Sequence, residues 1–119
     1  GPQAPPAKPA GNPQVNVGTG KLDRERWAPV VEAFTGALGA REVAGRPLEV
    51  RENVKFRGGH FSHWIHQRYP RASCALAIEV KKFFMDEWTG EPEREFIREV
   101  GEALAATVAP VLATLQEVE

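Results

Sequence analysis

Residues 73–80, SCALAIEV, constrain what this chain can fold into more than any other stretch. A nearly continuous run of small and branched apolar side chains, too short for a helix, has the pattern of a strand covered on both faces. Such a strand is expected at the centre of a sheet with helices on either side. One acid, Glu79, interrupts the run.

The rest of the chain supplies neighbours for that strand. Gln14 to Val17 alternates polar and apolar and stops at Gly18-Thr19-Gly20, which predicts a short strand and a tight turn. Trp27, Val30, Val31, Phe34 and Leu38 recur at helical spacing, predicting a helix over 23–38 with Asp23 as N-cap, Pro29 bending its second turn and Gly39 as its stop. After Gly45 and Pro47 the alternation returns, predicting a strand over 47–52. Pro92 then opens an apolar stripe from Phe96 to Leu115, predicting a helix over 92–116 kinked at Pro110. With a short helix-like run after Gly58-Gly59, the order of elements predicts an α/β fold with one domain over 14–119. Residues 1–13 hold five prolines and one charge, Lys8, and read as an extended loop or tail.

A formal net charge of −1 gives no reason to expect a nucleic acid as partner, and no window approaches the apolar length of a membrane span. A lone cysteine cannot form an internal disulfide, so a cytoplasmic location is expected. The charges are unevenly spread. Residues 51–72 carry Arg51, Lys55, Arg57, Arg68 and Arg71 against Glu52, whereas residues 86–119 carry nine acids against Arg94 and Arg98. A cationic centre of this kind fits an anionic small molecule.

Residues 51–90 concentrate the side chains able to do chemistry. Glu79, in an apolar strand, reads either as a general base whose pKa is set by its surroundings or as a strand-end acid paired with Lys81, Lys82 or an arginine. His60, His63 and His66 form an HxxHxxH series. On a helix, positions six apart diverge by about 120°, so the three cannot share one tetrahedral metal site. Gly58-Gly59 can admit backbone close to a ligand or can simply make a turn. Cys74 reads as a buried structural thiol. Phe83, Phe84, Met85 and Trp88 read as packing residues after Glu79.

Three stretches, VNVGTG, ENVKFRGGHFSHWIH and ALAIEVKKFFMDEWTG, together resemble the C-terminal part of the N-formylglutamate amidohydrolase family over about residues 14–116. The resemblance implies a zinc-exopeptidase-like, three-layer α/β fold with a mixed central sheet, and metal-dependent hydrolysis of an N-formyl or N-acyl amino acid. It places Glu79 at the catalytic carboxylate and implies that Asn53, Gly58, Gly59 and His63 line the substrate side. It also places the aromatic residues near 56–69 in the protein interior. The family's zinc ligands belong to segments nearer the N-terminus of a full-length enzyme, and residues 1–50 here contain no histidine. The chain therefore reads as the C-terminal portion of a longer hydrolase, holding no zinc and inactive alone, expected to self-associate or to pack on the missing part. The alternative is a non-catalytic module that binds an anionic metabolite or a protein partner.

Overall fold

A three-stranded sheet organises the described residues, with the strand Val15–Gly18 between Val50–Glu52 and Ala77–Val80. The computed structural model describes residues 14–81 and 91–118, so the Pro-rich stretch 1–13 and the expected packing residues Phe83, Phe84, Met85 and Trp88 lie outside the described residues. Strand β1 (Val15–Gly18) is parallel to β4 (Val50–Glu52) and antiparallel to β5 (Ala77–Val80), so the sheet is mixed. All four residues of β1 are buried.

The strand expected at the centre is therefore an edge among the described residues. Only Ala77–Val80 of the 73–80 run is strand, and Ile78 and Glu79 are exposed. The covered strand is β1, which its polar Asn16 disguises. Asn16 is 2% exposed, yet its amide is satisfied, donating to the Val54 carbonyl and accepting from the Val54 N–H at 3.2 Å. A buried polar group tolerated on these terms costs little, so the apolar run is a weaker guide to position than the pairing.

Successive strand residues face opposite sides of a sheet. Val15 and Val17 point to one face and join Phe34 and Leu38 of helix α1 (Ala28–Gly39), Phe96 and Ala103 of helix α3 (Glu91–Ala105), and Val43 and Leu48 in one core. Asn16 and Gly18 point to the other face, which segment 53–59 crosses. Helix α2 (His60–Arg68) follows that segment.

Helix α1 starts at Ala28, five residues later than Asp23 suggested. Asp23 instead accepts from the Arg26 N–H at 3.2 Å within a preceding turn. Pro29 lies in the first helical turn, where its missing N–H costs no helical bond, so it starts the helix and does not bend it. The predicted 47–52 strand divides as well. Arg46–Pro47 (β3) pairs with Glu42–Val43 (β2) in a hairpin whose Ala44 and Gly45 both have positive φ, and β4 begins at Val50. The C-terminal helix breaks before its proline. Helix α3 ends at Ala105 and α4 spans Val108–Thr114, with Pro110 in its first turn, because Pro110 has no N–H to continue the ladder.

Candidate functional site

Strands β1 and β4 run side by side, and the chain leaves both at the same edge, through Thr19 and Asn53. The carboxyl ends of parallel strands are where α/β sheets leave room for ligands. A cleft of about 510 Å³ opens there, floored by Thr19, Glu52 and Asn53 and walled by Lys21, Arg24, Arg57 and His63.

The floor is tightly cross-linked. Asn53 accepts from the Thr19 N–H at 2.9 Å and donates its amide to Thr19 Oγ1 at 2.9 Å. The Thr19 hydroxyl donates to Glu52, whose two oxygens also take Arg24 Nε at 3.0 Å and Nη2 at 3.2 Å. Burial pushes the Glu52 carboxyl up, but the hydrogen bonds from Arg24 and Thr19 and the Arg24 charge outweigh it and hold the group below its ordinary value. Arg24 is thus spent on Glu52. Lys21 and Arg57 form no ion pair among the described residues and are the cations the cleft can offer to a ligand.

Two residues of the cleft adopt left-handed backbone, Lys21 at φ 65° and Asn53 at φ 59°. Asparagine tolerates that region and lysine less so, and such strain collects where a site over-determines the backbone. The cleft also depends on close approach beneath it. A Cβ on Gly18 would lie 2.6 Å from the carbonyl carbon of Arg57, so only glycine lets segment 57–58 cross β1 there. Gly58, at φ 103°, and Gly59, the N-cap of α2, make this crossing and do not line the cleft.

The histidines divide by role. His63 faces the cleft, its Nε2 donating to the Arg57 carbonyl at 2.9 Å, while His60 is exposed at the start of α2. His66 is 1% exposed. The Ala75 N–H donates to His66 Nε2 at 2.9 Å, so the proton is on Nδ1, which donates to the Gly20 carbonyl at 2.8 Å. One ring thereby ties α2 to the cleft turn and to the approach to β5. Burial, against the Arg24 charge, raises the Cys74 thiol to about 11, so it stays protonated at neutral pH and serves packing.

Of the residues that sequence singled out, Asn53 and His63 meet in the cleft, and Glu79 does not. Its strand runs opposite to β1 and β4, so Ala77 stands beside Gly18 at the cleft end while Glu79 pairs with Asn16. That sets it about 7 Å further from the cleft along the strand. Among the described residues it lies on a sheet edge, exposed, and not at the cleft end. Nor do the described residues fit zinc. No three of His, Cys, Asp and Glu come together among them, and both ring nitrogens of His66 are taken. Sequence reasoning missed Thr19, Lys21, Arg24 and Glu52. The one available signal was the place of Thr19 and Glu52 at the ends of two predicted strands. Among the described residues no helix is long and apolar enough to cross a membrane. Compared with known proteins, the chain matches no family model, no curated protein and no solved structure.

Proposed function

We propose that this chain is the substrate-holding, C-terminal portion of a metal-dependent amidohydrolase that cleaves N-formyl or N-acyl amino acids such as N-formylglutamate. One observation carries the reading. Two of the stretches that carry the family resemblance, VNVGTG and ENVKFRGGHFSHWIH, are distant in sequence and converge on one cationic cleft, supplying Thr19 and Gly20 from the first and Glu52, Asn53, Arg57 and His63 from the second. Lys21 and Arg57 suit the carboxylates of an acylated amino acid, and Asn53 and His63 border the same space. Glu79 is the general base, taking a proton from the attacking water and returning it to the amine as the C–N bond breaks. The zinc ligands would come from other segments of the hydrolase. Zinc is assigned no step through the residues described here.

The position of Glu79 away from the cleft favours the second reading, a module that binds an anionic metabolite without transforming it. Titrating N-formylglutamate into the chain tests the binding that both share, and formate release in a longer protein carrying the chain separates them. Both require binding that weakens about 10-fold or more in Arg57→Ala, the scale of one charge-assisted contact. Absence of binding at millimolar ligand would sink both. In a longer protein carrying this chain, Glu79→Gln should lower turnover about 10²–10⁴-fold if Glu79 is the base. Binding without turnover in that protein leaves the module.

A further inference from the structure

The two cations that the cleft offers stand on different segments, Lys21 on the turn after β1 and Arg57 on the segment that crosses it. The backbones under them meet at one atom. The Arg57 carbonyl accepts from the N–H of Gly20, the neighbour of Lys21, at 2.8 Å, and from His63 Nε2 at 2.9 Å. A carbonyl oxygen has two lone pairs, and here each has a donor. His63 therefore completes the joint between the two cation-bearing segments. The neutral imidazole ring has one N–H, and the carbonyl takes it.

The joint stands where the chain needs one. Segment 53–59 is neither helix nor strand, and its Asn53, Lys55 and Gly58 have φ of 59°, 68° and 103°. Val54 is tied to the Asn16 side chain, and the next tie along the segment is the Arg57 carbonyl. Gly58, at a φ that only glycine adopts readily, gives the peptide before it freedom to turn. Packing closes round the same oxygen: a Cβ on Gly20 would lie 2.6 Å from it and closer still to His63 Nε2. Helix α2 delivers the ring by dividing its faces. Ser62 and His66 are buried, Phe61 and Trp64 are exposed where the resemblance implies an interior, and His63 lies half-buried between them.

We infer that His63 is a positioning residue: it acts on the ligand through Arg57, holding that cation at a fixed separation from Lys21, and so gives the cleft a preference for two carboxylates over one. A ligand that bridges both cations depends on their separation. A ligand with a single carboxylate takes either cation and does not. The inference rests on reading the cleft as the site of an acylated amino acid, and it changes the part His63 plays there, from lining the substrate side to fixing the residue that does the binding.

Paired titrations of N-formylglutamate and N-formylglutamine test it, since the two ligands differ by one carboxylate. His63→Leu keeps bulk and loses the donor, whereas His63→Gln keeps an N–H at similar reach. His63→Leu should weaken N-formylglutamate about 5–10-fold, the scale of one hydrogen bond, and leave N-formylglutamine within about 2-fold. His63→Gln should restore the preference. Adding His63→Leu to Arg57→Ala should cost nothing further, because the two residues act as one unit. A preference unchanged in His63→Leu overturns the inference, as does equal weakening of both ligands, which would mean a structural role only. Losses that add to those of Arg57→Ala overturn it too, and so does a folded His63→Gln as weak as His63→Leu. Failure of the unaltered chain to bind either ligand at millimolar concentration removes the reading of the cleft and this inference with it, so the two failures are told apart. Nitrogen NMR of the unaltered chain in mildly alkaline solution should find the His63 proton on Nε2. A proton on Nδ1 overturns the inference even where His63→Leu does not fold.

Discussion

The cleft end of the sheet and its β5 edge show two different ways of carrying an acid. Glu52 at the cleft is held by Thr19 and by both donors of Arg24, and a second residue, Asn53, locks the same threonine. Glu79 on β5 stands exposed on what is, among the described residues, an edge. In the sequence Glu79 looks the more informative, because it is the acid in an apolar run. The fold has built far more around Glu52, which sits between Arg51 and Asn53 and draws no attention as a letter. A residue's contrast with its sequence neighbours reports what sits beside it in the chain; its role depends on what folds against it.

Replacing His66 should break this difference most severely. His66→Ala removes a fully buried ring and leaves the Gly20 carbonyl and the Ala75 N–H without their partners. Cavity and unpaired polar groups together predict a loss of about 3–4 kcal/mol in urea unfolding. A loss under about 1 kcal/mol would mean that the cleft turn and the approach to β5 are held by something else.

Close packing under the cleft gives the next effect. Gly18→Ala must push segment 57–58 away from β1, with a cost of about 1–3 kcal/mol. Gly36, in the exposed face of α1, has no atom near the position its Cβ would take. Gly36→Ala should therefore stabilise by about 0.5–1 kcal/mol. If the two substitutions shifted the midpoint in the same direction, the crowding at Gly18 would not be the limiting contact.

The Glu52 cluster predicts a pH effect with a definite sign. Its carboxyl titrates lower in the folded chain than the ordinary value of 4.5, so the unfolded chain takes up the proton first as pH falls. The stability that Glu52 contributes is then fully present above about 4.5 and is lost as pH drops through the folded value. Glu52→Gln should cost about 1.5–3 kcal/mol at neutral pH, the range for hydrogen bonds to a charged group. Unfolding curves of the two proteins should converge in acid; a gap that persisted or widened below 4.5 would reverse the assignment.

Much of the fold is legible in the sequence where one face repeats. The stripe Val30, Val31, Phe34 and Leu38 is the buried face of α1, and β1 forms where the sequence alternates. What does not show is position and partnership. Asn16 conceals the covered strand because its cost is met by Val54, far along the chain. The β2–β3 hairpin turns on Ala44 at φ 54°, and alanine is no signal for a left-handed turn. For the site, the family resemblance points to Glu79, Asn53, Gly58, Gly59 and His63, of which Asn53 and His63 line the cleft. The arginine and threonine that bind Glu52 lie 28 and 33 residues from it, beyond the reach of any local spacing rule. The burial of His66 does not show either, because the groups that bind it, Gly20 and Ala75, come from two other segments.

The smallest expected effect sharpens the comparison furthest. Glu79→Gln keeps the shape of the side chain on β5 and removes its charge. An exposed residue on a strand edge, away from caps and buried networks, should change stability by no more than about 0.5 kcal/mol. The same substitution at Glu52 should cost clearly more, so the pair measures what each environment contributes at constant chemistry. Chemical denaturation of both variants at neutral pH is the measurement. If Glu79→Gln matched Glu52→Gln in cost, the β5 edge would matter to stability as much as the cleft does, and its acid would need no other role. A neutral result frees Glu79 from stability. Any loss of turnover in a hydrolase carrying the substitution would then be read as chemistry, since the fold would be unchanged by it.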